Sequence, residues 1–118
     1  MKKEEFVQKF KDVFCKEYHK KMVYLWEPFA RNDIVCLKGN LARNAYDEVD
    51  KINAFEIQYD NGFIGDNSAI PLQNEHMTSS GVDESKLFEF YIFDKDFSWC
   101  YIVTHEYDIC GPFFIKSK

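Results

Sequence analysis

Leu87-Phe88-Glu89-Phe90-Tyr91-Ile92-Phe93-Asp94-Lys95-Asp96-Phe97-Ser98-Trp99-Cys100-Tyr101-Ile102-Val103-Thr104 is the stretch on which the fold turns. Aromatic and β-branched residues dominate two arms, Leu87 to Phe93 and Ser98 to Thr104, and both read as strands. Asp94-Lys95-Asp96 reads as the turn between them. Alternation sets Phe88, Phe90 and Ile92 on one face of the first arm and Tyr91 and Phe93 on the other. Both faces are apolar, so each needs a helix over it or one must be left for a partner. Two helical patterns lie upstream, which favours a helix on each face. Ten of the 21 aromatic residues fall between Phe88 and Phe114, and most of them belong to a core.

Downstream, Tyr107 to Pro112 reads as a loop and Phe113-Phe114-Ile115 as the strand that closes a C-terminal meander. Upstream, Phe55, Ile57 and Tyr59 alternate with Glu56 and Gln58 in another strand, and Asp60-Asn61-Gly62 is a hairpin turn. Phe63-Ile64 would start the return strand, with Ala69 to Leu72 a further edge and Gln73 to Lys86 a loop or short helix. Asn40 looks like the N-cap of a helix over about 41–52, with Leu41, Ala45, Val49 and Ile52 inward and Asp47, Glu48 and Asp50 in water. Ile34-Val35-Cys36-Leu37 has the character of a short buried strand closed by Gly39. Met22 to Phe29, stopped by Pro28, reads either as a continuation turn or as an edge strand. Over about 3–20, Phe6, Phe10, Val13, Phe14 and Tyr18 form one stripe of an amphipathic helix. The expected fold is α+β: N-terminal helices packed on a mainly antiparallel sheet spanning about 54–116, in a single domain over residues 1–118.

Composition agrees with this. Apolar residues make up 46% of the 118, charged residues 30%, which excludes wholesale disorder, and the chain is long enough to bury one real core without staples. No apolar run has the length of a membrane span, and the start, Met1 to Glu5, is not an apolar signal region, so a cytoplasmic location is expected. Net charge is −5, unevenly spread: residues 1–21 carry seven lysines and four acids, whereas residues 44–112 hold fourteen acids against Lys51, Lys86 and Lys95. The N-terminal surplus is accounted for by acid-to-lysine pairs four apart, such as Glu5 with Lys9, and by the helix dipole. The acidic body repels phosphate backbones, so nucleic-acid binding is not expected; a basic protein would be attracted to it.

Four cysteines, Cys15, Cys36, Cys100 and Cys110, are even in number, yet no secretory signal and no C-x-x-C spacing supports disulfides, so free thiols are expected. Thr104-His105-Glu106 is the one polar cluster with a chemical look. His105 beside Glu106 suits an oriented general base, with Cys100 or Cys110 as nucleophile. Five residues separate Cys100 from His105, which puts them on opposite faces of a continuous strand. A zinc site from Cys100, His105 and Cys110 would need His19, His76 or Cys36 as fourth ligand, without the paired spacing that structural zinc uses. No catalytic set, metal or cofactor is therefore expected. Glycine-rich phosphate loops and nucleophile elbows are absent.

The run from Tyr91 to Glu106, followed by Cys110-Gly111-Pro112-Phe113-Phe114, resembles the signature of the bacterial domain of unknown function 4275 family. The matching residues are Trp99, Thr104, His105, Glu106, Gly111 and Pro112. Cys100 stands where that pattern has Thr, and Phe113 where it has Tyr. Looser matches are Trp26 with Phe29, Leu37, Gly39, Ala42 and Tyr46-Asp47. The resemblance implies small, acidic bacterial proteins, some similar to immunity proteins that neutralise a toxin.

The functional expectation is a non-enzymatic protein-binding module, an immunity protein that occludes a basic toxin domain. Asp47, Glu48, Asp50, Asp60, Asp94, Asp96, Glu106 and Asp108 would steer the partner in, and Tyr107 would anchor it. Two alternatives stand beside it: a small hydrolase-like enzyme using His105 and Glu106 with a cysteine, and a structural or regulatory partner protein with an uncovered sheet face. Oligomeric state is left open.

Overall fold

The computed structural model describes residues 1–22, 24–58, 68–86, 89–104 and 111–117. Helices α1 (Lys3–Phe14) and α2 (Glu27–Ala30) come first, then strand β1 (Leu37–Lys38) and helix α3 (Asn40–Glu48). Strands β2 (Ala54–Gln58) and β3 (Ile70–Pro71), a 3-10 turn (Asn74–His76) and helix α4 (Ser79–Glu84) follow. Strands β4 (Phe90–Asp94), β5 (Trp99–Val103) and β6 (Phe113–Lys116) end the chain. Among the described residues the strands form one six-stranded sheet, ordered β1-β6-β5-β4-β2-β3, with every neighbouring pair antiparallel. The architecture is α+β with a C-terminal β4-β5-β6 meander.

Each face of the sheet carries its own helical layer. Phe6, Phe10 and Phe14 of α1, with Leu25, Trp26 and Phe29 around α2, pack on Tyr91, Phe93, Cys100, Ile102, Phe113 and Ile115. Phe6 sits at the centre of this layer, its ring 4.9 Å from Phe93 and 5.4 Å from Tyr91. On the opposite face, Ala42 and Tyr46 of α3 and Val82 of α4 cover Phe90, Ile92, Trp99, Tyr101, Val103 and Phe114. Tyr46 lies flat on Tyr101 at 4.3 Å and donates its hydroxyl to the carbonyl of His76 at 2.5 Å. A buried polar pair ties the 3-10 turn to β2: Glu56 Oε1 lies 2.9 Å from His76 Nδ1 and also accepts the Gln73 N–H. α4 fits against that turn only because residue 81 is glycine; a Cβ there would stand 2.1 Å from the Glu75 carbonyl oxygen.

Several expectations need correction. The first helix stops at Phe14, not near residue 20. The chain leaves helical geometry at Cys15 (φ −122°), and Tyr18, packed against the same core, donates its hydroxyl to Asp33 Oδ2 at 3.0 Å. The second helix is Asn40–Glu48, with Gly39 as N-cap at φ +61°, a conformation that favours glycine. Its buried face is Ala42 and Tyr46, while Leu41 is 63% and Ile52 83% exposed. The aromatic area of Tyr46 outweighs that of Leu41 and rotates the helix by about one residue. Segment 34–37 is not a buried strand: β1 is an edge strand at Leu37–Lys38, and Val35 is exposed. The turn at Asp60-Asn61-Gly62 and the strand at Phe63-Ile64 lie outside the described residues.

The β4–β5 turn has an unusual anchor. Phe97 adopts φ +58°, in the left-handed region that a bulky L-residue rarely enters, yet its ring is fully buried. It contacts Phe93 at 4.8 Å and Phe6 at 5.8 Å, and its N–H closes the turn onto the Asp94 carbonyl at 2.8 Å. Packing outweighs a backbone cost of about 1–2 kcal/mol. Phe97→Ala is expected to lose about 3–5 kcal/mol of stability in chemical denaturation. Phe97→Gly, which removes the same ring without the backbone cost, is expected to be the more stable of the two by about 1 kcal/mol.

Candidate functional site

The topology brings the end of α3 beside the β4–β5 turn. Asp94 pairs with Ala54 at the start of β2, and the Lys95 N–H donates to the Asn53 carbonyl at 3.0 Å. Val49, Asp50, Ile52 and Asn53 from one side, Asp94, Ser98 and Trp99 from another and Lys116 from a third line a surface depression of about 450 Å³. Trp99 is 5% exposed and is held by stacking on Phe114 and by an edge contact with Tyr46. Ile52 stands on the lining, almost wholly exposed. The depression thus offers two carboxylates and one lysine ammonium, the apolar side chains of Val49 and Ile52, and part of an indole.

Asp50 Oδ1 accepts the Ile52 N–H at 2.9 Å, which fixes the carboxylate at the end of α3. Asp94 Oδ2 accepts the Ser98 hydroxyl at 3.1 Å, and Asp96 Oδ1 accepts the Ser98 N–H at 3.3 Å. Partial burial, followed by the adjoining Asp96, raises the pKa of Asp94, while hydrogen bonding to Asp94 and Ser98 lowers that of Asp96. Glu48 is exposed near the end of α3.

Asp47 has a different task. Its Oδ1 and Oδ2 accept the backbone N–H and the hydroxyl of Ser79, both at 2.7 Å, and so hold the first turn of α4 against α3. The expectation that it only faces solvent is corrected accordingly. Lys51 crosses the end of α3, donating toward the carbonyls of Asp47 and Val49 with its ammonium 4.7 Å from the Tyr46 ring. Asp60, Glu106, Tyr107 and Asp108, together with His105 and Cys110, lie outside the described residues.

Of the remaining signature residues, Trp99 and Pro112 are buried, Thr104 is fully so, and Gly111 is half-buried. The Pro112 carbonyl accepts the Gly39 N–H at 3.0 Å, joining the closing strand to the cap of α3. Cys100 is fully buried, and desolvation pushes its thiol well above the usual range, so it does not supply a thiolate nucleophile. Cys15 is also buried and its thiol is pushed up to about 11 by burial. Cys15, Cys36 and Cys100 are free thiols. Among the described residues no group of three or more His, Cys, Asp or Glu side chains is placed to hold a metal ion. No helix among them is long and apolar enough to cross a membrane.

Three of the described acids, Glu27, Glu56 and Glu89, are buried, which composition does not reveal. Glu89 is 2% exposed and its Oε2 accepts the Tyr91 hydroxyl at 2.6 Å. It has the parity of Tyr91 and Phe93, so alternation alone places it on an inward face.

Asp47→Ala is expected to lose about 2 kcal/mol, because both of its bonds to Ser79 are charge-assisted. Glu48→Ala, one residue away, is expected to stay within about 0.5 kcal/mol. Urea denaturation of the two variants checks the division between structural and surface acids on α3.

No curated protein and no solved structure matches the chain. One family model does, over residues 3–114, nearly the whole length, and it includes Trp99, Thr104, Gly111 and Pro112 within its span. The chain belongs to the family described as Domain of unknown function (DUF4275).

Proposed function

We propose that this protein is a non-enzymatic binding module of the immunity type, which occludes a basic toxin domain through the acidic end of its sheet. The observation that carries the proposal is the convergence of Asp50 and Asp94 on one depression beside the 83%-exposed Ile52. Long-range attraction from the acidic surface raises the encounter rate, and a rigid apolar contact then slows release. Asp96 and Glu48 extend the charge beyond the depression, while Asp47 acts by holding α4. Ile52 takes the place of an anchor among the described residues; Tyr107 remains the second candidate.

The structural-partner alternative required an uncovered apolar sheet face. Each face instead carries a helical layer, which removes the main support for that alternative. The hydrolase alternative loses Cys100 to burial and would have to rest on Cys110 with His105.

The test is a tagged pull-down from host lysate with the wild type and an Asp50→Lys/Asp96→Lys variant, at low and high salt. A captured basic protein would then be purified and its association followed by stopped flow. The expected result is an on-rate about tenfold lower for the variant at low salt, converging with wild type as salt rises. Co-expression with the captured protein is expected to protect growth. Equal on-rates would reject this surface, and a partner whose toxicity is unaffected by the chain would reject the immunity reading.

A further inference from the structure

We infer, resting on the recognition role proposed above, that the depression between the end of α3 and the β4–β5 turn receives one arginine side chain of a protein partner. Asp50 and Asp94 take the guanidinium, and the indole N–H of Trp99 takes a main-chain carbonyl beside it. Two independent observations carry this. First, neither Asp50 nor Asp94 is ion-paired among the described residues, whose salt bridges use Asp33, Glu27, Asp83 and Glu56 instead. Lys51, next to Asp50 in the chain, is turned to the carbonyls of Asp47 and Val49. Asp50 is oriented by the Ile52 N–H and Asp94 by the Ser98 hydroxyl. A carboxylate has about four acceptor positions, so both keep capacity for a donor. Second, Trp99 is only 5% exposed, yet its indole N–H meets no acceptor among the described residues and is not sealed from solvent. The accessible edge that Trp99 gives to the depression therefore carries an unused donor. Stacking on Phe114 and the edge contact with Tyr46 hold that donor in place.

Carboxylates alone would suit any cation, and the rest of the lining narrows the choice. Lys116 brings an ammonium into the same depression, so two carboxylates face one fixed cation and a single net negative charge remains. That suits one monovalent group and disfavours a divalent metal ion, which takes a shell of oxygen ligands. A guanidinium is planar and carries five N–H donors in a fork, so one group can reach carboxylates that come from two elements. A lysine ammonium is a compact, strongly hydrated point charge. The arginine stem needs apolar surface, which Val49 and the exposed Ile52 supply. The unused Trp99 donor calls for an acceptor, and a guanidinium has none, so the acceptor has to come from the main chain that bears the arginine. A volume of about 450 Å³ lies toward the lower end for small-ligand sites and fits one long side chain rather than a helix.

The probe is Nα-acetyl-arginine methylamide, with its lysine and citrulline counterparts as controls, and the readout is proton–nitrogen correlation NMR. The chain has two tryptophans and hence two indole cross-peaks, and that of Trp26 serves as the internal reference. The arginine probe is expected to move the Trp99 indole peak saturably, with a Kd of about 1 mM, as suits a ligand of this size. The lysine probe should bind at least about threefold more weakly, and the neutral citrulline probe should leave the peak in place. Asp50→Asn and Asp94→Asn should each weaken arginine binding by about five- to tenfold, whereas Glu48→Gln, off the depression, should change it by less than about twofold. An unmoved Trp26 peak shows that each variant is folded. No saturable movement of the Trp99 peak, equal binding of the arginine and lysine probes, or an equal loss in Glu48→Gln would each overturn the arginine site. None of these readouts involves a toxin. Failure here therefore leaves the immunity reading to its own pull-down test, and failure of that test leaves a demonstrated arginine site.

Discussion

Strands β4 and β5 are buried on both faces, and this two-sided burial constrains the rest of the molecule. Every residue of β5 and the first four of β4 are shielded from solvent. An antiparallel sheet commonly leaves one face in water, so strands of this kind require a helical layer on each side. Three phenylalanines of α1 supply one layer and Tyr46 of α3 anchors the other. Each such ring contributes about 1.5–3 kcal/mol through burial. Polar chemistry is thereby pushed to the strand ends, the turns and the outer helix surfaces.

This division explains what could be read from the residues and what could not. The alternation of Phe90 and Ile92 against Tyr91 and Phe93 reports two apolar faces directly, and the Phe6-Phe10-Phe14 stripe reports the helix that covers one. The rotation of α3 was harder to read because its sequence carries two overlapping apolar stripes. Leu41, Ala45 and Ile52 fit one; Ala42 and Tyr46 fit the other, and the choice rests on a stack with Tyr101 contributed from far along the chain. Asp47 and Glu48 are adjacent acids with no local difference, and only the arrival of Ser79 separates their roles. Glu89 did leave a signal: an acid at an inward position of a strand pattern. Its meaning depends on what encloses it, which local pattern does not contain.

The acidic depression has a similar origin. Asp50 lies two residues past the end of α3 and Asp94 ends a strand, 44 residues apart in the chain, and the pairing of β2 with β4 brings their segments together. Like charges gathered this way oppose folding, since each carboxylate raises the potential felt by the next. The fold nevertheless fixes the turn that carries Asp94 and Asp96 by driving Phe97 into the core in a left-handed conformation. A turn pinned at that backbone cost presents its acids already ordered, so a partner would not have to order them on binding. That combination of self-repulsion and rigidity is what supports a recognition role over a merely solvating one.

The two acidic features occupy opposite ends of one strand. Glu89 and Asp94 are five positions apart along β4 and its approach, about 17 Å at the rise of an extended chain. The depression is lined from the segment after α3, the β2 entry, the β4–β5 turn and β6, and that turn is pinned by Phe97, which packs on Phe6 of the α1 layer. Presentation of Asp94 and Asp96 therefore depends on the α1 layer, because the turn that carries them is held through Phe97 from that side of the sheet.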